Sequence, residues 1–458
     1  MKAIKFWIGL YLLFLAASCN KKLDVLPQNT LPSDQIKTSA DVQAILFGGY
    51  SSFQSSSGFG ENFILAPDLI AADSQINFVG TFYDYLAAQQ HTVISTNVIV
   101  GNMWPGAYNV VNIANTVLDK INVVDSGDTR RSVQGEALFL RGTAFFYLTG
   151  VFGKPYSDGA ASTNLGVPLV LKPTYVYDSS KNSPNKPARS TVQQCYTQIV
   201  ADLQAAIALL PEFNDDGRAT VYSAKAMLSR VYMSMGNYAG AAKMAADVIN
   251  SGNFGLVSYN SAFNHDGYGP EDIFGVLNTS QSNAGTSNAG LNTFYIPASV
   301  GRGDVQIDPD FYNIFDDAND VRASFTYKGK SISGIKGDYT SKWSTFFKTV
   351  PVIRLAEMYL TRGEANLRAG AGGTGDDPVA DINMVRERAG AADLGPTVTV
   401  QDFINERFRE LAFEGDRFWT LKRNKQTFRT GFGYDNGKLI FPLPQREIDA
   451  NPNLVQNN

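Results

Sequence analysis

Residues 223–252 constrain the fold of this chain more than any other segment. Their sequence, SAKAMLSRVYMSMGNYAGAAKMAADVINSG, contains two helical stretches joined by a Gly-Asn turn. Bulky, small and aromatic side chains recur at helical spacings on both sides of that turn, at Leu228, Ser229, Tyr232, Tyr238 and Ala241. Small residues let two antiparallel helices approach closely, and the aromatic rings fill the space beside them. The segment therefore predicts a helix–turn–helix unit of a repeat scaffold.

Related patterns occur elsewhere in the chain. The spacing is that of tetratricopeptide repeats, and PVIRLAEMYLTRGEANLRAG places Tyr359 and Gly363 at the same offset as Tyr232 and Gly236. A partner helix, DPVADINMVRERAG, follows after a glycine-rich insert. Segments 136–153 and 191–211 predict a further pair with a long insert between them. We therefore expect an all-α fold, a tetratricopeptide-like helical-repeat scaffold with long loop insertions.

The helical period disappears between about residues 257 and 345. Gly, Ser, Asn and Thr dominate there, as in NTSQSNAGTSNAGLNTFYIPASVGRGD. Loops of this length carry function more often than core packing, so we expect this region to provide specificity and little of the core.

The C-terminal segment, about residues 402–458, predicts structural elements. In NERFRELAFEGDRFWTLKR, an apolar helical face formed by Ile404, Phe408 and Leu411 lies opposite a charged one. The charged residues, at three- and four-residue steps, are Glu406, Arg407, Arg409 and Glu410. The three prolines of FPLPQREIDANPNL predict an extended segment that packs on the scaffold.

The first eighteen residues have the layout of a secretory signal. Lys2 and Lys5 precede the apolar run FWIGLYLLFLAA, which is too short to span a bilayer and is followed by Ser18 and Cys19. A run of small residues ending in Cys resembles the lipobox of bacterial lipoproteins, in which cleavage leaves the Cys lipidated at the new N-terminus. We expect residues 1–18 to be removed, Cys19 to carry the lipid, and residues 19–458 to form one domain. The alternative is an ordinary cleaved signal with an incidental Cys.

Composition excludes several classes of function. The 39 basic and 43 acidic residues give a net charge of −4 without a basic block, so nucleic acid is not an expected partner. Two His and two Cys provide too few ligands for zinc clusters, iron–sulfur sites or a disulfide framework. Cys195 lies in a helical pattern, where we expect a small buried side chain.

Several long motifs, in order along the chain, resemble the SusD/RagB family. They are LDVLP after the anchor, EALFLRGTAFFYLTGVFGKP, RLAEMYLTRGEANLRAG, INMVRERAG, NERFRELAFEGDRFWTLKR and FPLPQREIDANPNLVQN. The resemblance implies four tetratricopeptide-like units and no cofactor, and we expect neither catalysis nor a metal in the binding site. It also implies a lipid-anchored glycan-binding protein, exposed on the cell outer membrane. The implied partner is a SusC-like TonB-dependent channel, over which the lipoprotein forms a lid.

A glycan site needs flat aromatic rings for sugar C–H faces, and planar polar groups for hydroxyls. Two stretches outside the clear core patterns provide both kinds of group. The first stretch offers Asp73, Gln75, Asn77, Phe78, Phe82, Tyr83 and Tyr85, and the second offers Tyr268, Phe294, Tyr295 and Arg302. The resemblance points to the same two regions. Tyr83, Tyr85 and Tyr295 are the strongest candidates for ligand contact, whereas Phe82 is expected in the core.

Two other functions remain open at this point. A secreted glycoside hydrolase needs only a pair of carboxylates, and 43 acidic residues do not exclude one. A Ser–His–Asp mechanism would have to use His91 or His265, neither of which lies in a nucleophile motif. Helical repeats also bind peptides in concave grooves, so a peptide ligand is the second alternative.

Overall fold

The computed structural model describes residues 33–175, 186–215 and 217–457. The predicted signal segment and Cys19 lie outside these ranges. The α-helices of the described chain are, in order, α1 Ser39–Gln54, α2 Asn62–Ile70, α3 Tyr83–Gln90, α4 Val98–Asp119, α5 Asp128–Phe152, α6 Val192–Leu209, α7 Val221–Met235, α8 Tyr238–Ile249, α9 Leu291–Tyr295, α10 Leu355–Ala369, α11 Pro378–Arg388, α12 Val400–Leu411, α13 Asp416–Arg423 and α14 Gln445–Ala450. The prediction of an all-α fold is confirmed.

Short strands add three small antiparallel sheets to the helices. The strands are β1 Ile76–Phe78, β2 Asp272–Val276, β3 Val305–Ile307, β4 Thr326–Lys330, β5 Lys336–Thr340 and β6 Val350–Arg354. Strand β1 pairs with β3, β2 pairs with β6, and β4 and β5 form a hairpin. Each sheet has two strands, so the sheets fasten loops to the helical body and do not form a separate layer.

The helices pack side by side in a continuous series from α1 through α4, α5, α6, α7, α8 and α10 to α11. The turn between α7 and α8 has the predicted glycine, since Gly236 adopts a left-handed conformation with φ of 74°. The small residues Ala241 and Ala242 of α8 pack against Ala365 of α10, with Tyr232 and Tyr238 beside them. Close helix approach at small side chains is therefore the packing rule that the sequence pattern predicted.

Two predicted helix boundaries differ from the observed ones. The helical spacing of Val110, Ile113, Val117 and Ile121 predicts a helix from about residue 105 to 123. Helix α4 begins earlier, at Val98, because the side chain of Asn97 caps it by accepting a hydrogen bond from the N–H of Ile99 at 2.9 Å. For α1 the sequence predicts Ser39 or Asp41 as the cap. The observed cap is Thr38, and Asp41 closes the capping box from inside the helix.

The loop-rich region contributes more core than predicted. Leu291 and Phe294 of α9 are fully buried, and so is Val305 of β3. Helix α9 packs against the apolar helix α2, which has no polar face to expose. The expectation of little core was wrong because apolar residues are clustered locally within a stretch that is polar on average.

Helix α12 is structural, as predicted, but both of its faces are buried. Its charged residues Glu406 and Glu410 are 0% exposed and lie among arginines from other elements. Burial acts to raise the pKa of Glu410, but Arg388, Arg354 and other nearby cations outweigh it and lower that pKa to about 2. The charged face therefore joins the C-terminal segment to the body through ion pairs inside the protein.

The remaining C-terminal residues also pack on the scaffold. Phe441 and Leu443 are buried, and the N–H of Phe441 donates to the carbonyl of Val151 at 3.0 Å. The segment was predicted to be extended throughout, whereas Gln445–Ala450 forms the short helix α14 directly after Pro444. Within the described ranges, no helix combines the length and the apolar character needed to cross a bilayer.

Candidate functional site

The two stretches that the sequence predicted as ligand-binding lie together in the structure. Strand β1 of the first stretch pairs with β3, which follows directly after the second, in the register Asn77 to Gln306. The N–H of Val79 continues the ladder by donating to the carbonyl of Asp304 at 2.7 Å. A side chain at Gly80 would meet Asp304, since a Cβ there would lie 2.3 Å from its Cγ. Residues 79–83 therefore lie directly on the loop that contains Arg302.

Arg302 fastens three loops to one another. Its Nε donates to Asp304 at 2.6 Å, its Nη1 to Asn288 at 3.1 Å and its Nη2 to Thr81 at 3.0 Å. The guanidinium also stacks on the ring of Phe82, 4.0 Å from the ring centroid. Arg302 is only 7% exposed. The prediction that Arg302 contacts a ligand is therefore corrected, because its donors hold the loops and its faces are covered.

Three of the predicted ligand aromatics are part of the core. Tyr295 is 1% exposed, and Phe78 and Tyr85 are also buried. The ring of Tyr85 stacks on Phe78 with centroids 5.7 Å apart and contacts Phe294 at 4.8 Å. The structure does not support ligand contact by Phe78, Tyr85 and Tyr295, because these side chains are buried in the hydrophobic core. Phe82, expected in the core, is half-buried instead.

Tyr83 lies on the opposite side of α3 from Tyr85, and it is 84% exposed. Asp73 is exposed as well, but it precedes β1 whereas Tyr83 follows it, so the two flank opposite ends of that strand. Asn77 is half-buried, and its amide donates to Asp308 at 2.8 Å and accepts from Gln89 at 3.3 Å. Of the predicted ligand residues, Tyr83 is thus the aromatic ring that this surface leaves accessible.

A buried carboxyl that the sequence pattern did not predict supports this surface from beneath. Glu61 accepts a hydrogen bond from the hydroxyl of Tyr85 and another, at 2.7 Å, from the N–H of Gly290. Burial raises the pKa of Glu61 to about 7, although these hydrogen bonds act to lower it. Its signal was an acid placed directly before the apolar run NFILAPDLI. The carboxyl fixes the start of α9 relative to α3.

A groove adjoins the same surface. It has a volume of about 720 Å³ and runs between residues 296–300 and strand β4. Its lining residues are Ile296, Pro297, Ala298, Ser299, Val300, Tyr327, Lys328, Gly329, Lys330, Ser331, Ser341 and Ser344. The groove was not predicted, because the alternation in TYKGK was too short to be recognised as a strand. Its signal was SISG, a turn-forming sequence between two lysine-containing stretches.

His265 and the thiol of Cys195 have partners within the protein. His265 was expected in an exposed loop, but its side chain is 20% exposed and its Nε2 lies 3.3 Å from Asp272. Cys195 is 0% exposed, which confirms the prediction of a small buried side chain, and burial raises the pKa of its thiol. Across the described ranges, no three or more His, Cys, Asp or Glu side chains are grouped as metal ligands would be.

Comparison with known proteins identifies relatives over nearly the whole chain. Residues 6–233 match a family described as "Starch-binding associating with outer membrane", and residues 327–458 match one described as "SusD family". A curated relative, "SusD-like protein P2" of Formosa agariphila, is 26% identical over 93% of this chain and 94% of its own length. Both ends of the chain therefore match families related to the same type of protein.

Solved structures share the fold. A SusD superfamily protein from Bacteroides thetaiotaomicron superposes with a TM-score of 0.82 at 27% identity, covering 92% of this chain and all of that one. Surface glycan-binding protein A from the same organism, solved in complex with laminarihexaose, gives a TM-score of 0.74 at 21% identity, over 92% of this chain and 99% of that one.

Proposed function

Because this chain belongs to the SusD/RagB family, we propose that it binds a glycan at the outer membrane and catalyses no reaction. The family matches at residues 6–233 and 327–458 are the observation that carries this proposal. A protein of the same fold binds laminarihexaose, which supports a carbohydrate ligand for this one. The proposed role is delivery of the glycan to a SusC-like TonB-dependent channel.

The accessible surface around Tyr83 has the chemistry that a sugar requires. The exposed ring of Tyr83 offers a flat face to sugar C–H groups, and exposed Thr81 and Asn288 offer hydroxyl and amide groups. Arg302 holds Thr81 and Asn288 in place from beneath. We propose that Tyr83 and the exposed edges of these two residues contact the glycan, and that Arg302 positions them. Ligand contact by Asp73 and Asn77 also stays part of the proposal.

The proposed membrane attachment depends on Cys19 and not on a helix. Each buried methylene of an acyl chain contributes about 0.8 kcal/mol, so several chains together hold a protein stably on a bilayer. A Cys19→Ser variant should appear in the soluble fraction, whereas the native chain stays with membranes and carries the mass of acyl groups. Recovery of the variant in membranes would contradict the lipid anchor.

The proposed channel partner requires a large interface. A stable complex of two proteins buries about 1,200 to 2,000 Å² in total, so the native chain should co-purify with one outer-membrane channel from solubilised membranes. If the chain elutes alone from gently solubilised membranes, the channel part of the proposal fails and glycan binding is unaffected.

Substitution of Tyr83 tests the glycan surface. A Tyr83→Ala variant should bind its glycan about three- to tenfold more weakly, since one exposed ring contributes about 0.5–1.5 kcal/mol to such contacts. Its melting temperature should not change, because Tyr83 is 84% exposed. Affinity gels containing laminarin, starch or other polysaccharides provide the measurement, after a glycan array has selected the polymers.

A matched control is Phe213→Ala, which removes another exposed ring, 72% accessible, from the connection between α6 and α7. Equal retardation of the two variants would reject Tyr83 as part of the binding surface. Release of new reducing ends from any of these polymers by the purified protein would contradict the non-catalytic role and favour a hydrolase.

A further inference from the structure

The groove beside β4 lies next to the surface around Tyr83. Arg302 links the two, because its side chain donates to Thr81 at 3.0 Å while its backbone carbonyl accepts from the N–H of Ile332 at 2.7 Å. Residues 296–300 form the other wall, held to β4 by the hydrogen bond from the N–H of Ala298 to the carbonyl of Lys330 at 2.9 Å. The loop of Arg302 therefore connects the surface around Tyr83 to the hairpin that forms one wall of the groove.

The β4–β5 hairpin has one face that is fixed by packing. Tyr339 is 0% exposed and its hydroxyl donates to the carbonyl of Gly303 at 3.0 Å. A side chain at Gly329 would meet Pro297, since a Cβ there would lie 2.4 Å from its Cγ. Because side chains alternate along a strand, the residues between these positions point away from the protein body. Packing of this inner face therefore leaves the opposite face of the hairpin exposed to solvent.

Lysines occupy that outer face. Lys328 lies opposite Asp338, and its Nζ is 2.5 Å from the carboxylate. Lys330 lies directly opposite Lys336, and both are exposed. In the described part of the chain, neither of these two lysines has a carboxylate within ion-pair distance. Like charges facing each other across a strand pair are unfavourable, so this arrangement leaves positive charge that an anion would neutralise.

The groove walls complement this charge. No Asp or Glu is among the residues that line the groove, whereas Lys328 and Lys330 both are. The hydroxyls of Ser299, Ser341 and Ser344, which also line it, form no hydrogen bond within the described residues. Ammonium groups bind carboxylates and sulfates, and free hydroxyls bind the neighbouring sugar hydroxyls. The whole chain has a net charge of −4, so general attraction of polyanions is not expected and binding would depend on this local feature.

We propose that the groove binds the anionic groups of an acidic polysaccharide, either uronic acid carboxylates or sulfate esters. This inference rests on the proposed glycan-binding function and specifies the chemical class of its ligand. Lys330, which lines the groove, and Lys336, which lies opposite it on β5, provide the unpaired positive charge. The serines bind sugar hydroxyls, and Tyr83 stacks on a sugar ring farther along the same chain.

The test uses the double variant Lys330→Gln and Lys336→Gln. Binding to polygalacturonate, alginate and carrageenan should weaken about tenfold, since each exposed ion pair contributes modestly and two are lost. Binding of the native protein to these polymers should also weaken as the salt concentration rises from about 50 mM to about 300 mM. Salt screens exposed charges, and the screening length is about 8 Å at physiological salt, within this range. The melting temperature should stay the same or rise, because a like-charge pair is removed.

A matched control removes two lysines from the helical scaffold. Lys37 and Lys243 are exposed and lie outside the hairpin, so Lys37→Gln with Lys243→Gln changes the net charge equally. This control should bind acidic polymers as the native protein does. Equal losses in both double variants would overturn the groove as the site, because the effect would then follow net charge alone.

The probes separate failure of this inference from failure of the proposed function. If the native protein binds neutral laminarin or starch but none of the acidic polymers, the inference is overturned and glycan binding stands. If it binds none of the polysaccharides, both fail. If poly-L-glutamate binds as tightly as the acidic polysaccharides and depends equally on Lys330 and Lys336, the groove recognises an acidic peptide, which also overturns the inference.

Discussion

Replacing Glu61 with Gln separates the electrostatic cost of a buried carboxylate from its hydrogen bonds. Glu61 is 1% exposed and joins the hydroxyl of Tyr85 to the N–H of Gly290 beneath the candidate surface. Glutamine has nearly the same shape but does not ionise. Any change in hydrogen bonding affects the variant equally at every pH, whereas the charge affects the native chain only where Glu61 ionises.

The magnitude follows from the pKa of Glu61, which burial raises from 4.5 to about 7. The folded chain holds this proton more tightly than the unfolded chain does. The free energy of unfolding therefore falls as pH rises from about 4.5 to about 7, and Glu61 contributes most below that range. Each pKa unit corresponds to about 1.4 kcal/mol, so the full loss is about 3 kcal/mol. The Glu61→Gln variant should lack this loss.

Urea unfolding followed by tryptophan fluorescence measures the effect. The free energy of unfolding of Glu61→Gln minus that of the native chain should rise by about 3 kcal/mol between pH 4.5 and pH 8. Taking this difference cancels the titration of every other group. Glu212→Gln, at an exposed acid, is the control and should show no such rise. The same difference at both pH values for Glu61→Gln would refute the assignment of a raised pKa to a buried carboxyl.

Three further predictions concern the body of the protein. A Cβ at Gly150 would lie 1.9 Å from the ring of Trp419, so Gly150→Ala should lower the free energy of unfolding by about 1–3 kcal/mol in urea, whereas Gly101→Ala, with open space around it, should not. Because the pKa of Glu410 is lowered to about 2, its carboxylate stabilises the fold above about pH 4.5, and this stabilisation is lost as pH falls toward 2. Glu410→Gln should lower the free energy of unfolding by about 3–5 kcal/mol at pH 7 and by clearly less at pH 3. A loss that is independent of pH would contradict the ion network. The buried thiol of Cys195 should react with a disulfide reagent slowly in the native protein and rapidly in urea, and fast native reaction would contradict its burial.

The helical body could be predicted because its signals are local. Periodic apolar residues, the glycine after α7 and the small residues of α8 act within one or two turns of the same helix. These patterns led to the all-α fold and to the resemblance to the SusD/RagB family, both of which are confirmed. Helix ends were less accurate, as at Asn97, because a single side-chain hydrogen bond determines where a helix begins.

The candidate surface was predicted as a region and not as a set of residues. The pairing of β1 with β3 brings the two predicted stretches together, and ligand binding by them stays a prediction. Tyr83 and Tyr85 were both predicted because they are aromatic residues in the same polar stretch, yet Tyr83 is 84% exposed and Tyr85 is 7% exposed. Side chains two positions apart on a helix point in nearly opposite directions, and the sequence did not indicate which of the two faces the core.

The helices, their pairing at small residues and the position of the loop-rich region could be predicted from the amino-acid sequence alone. Those properties depend on interactions between residues close together in the chain. Tertiary packing was needed to show which aromatic rings stay accessible, that Glu61 and Arg302 hold the loops from beneath, and that the hairpin lysines face outward. Each of these depends on contact with a segment far away in sequence, such as Tyr85 with Phe294, and burial by a distant partner leaves no periodic mark on either segment.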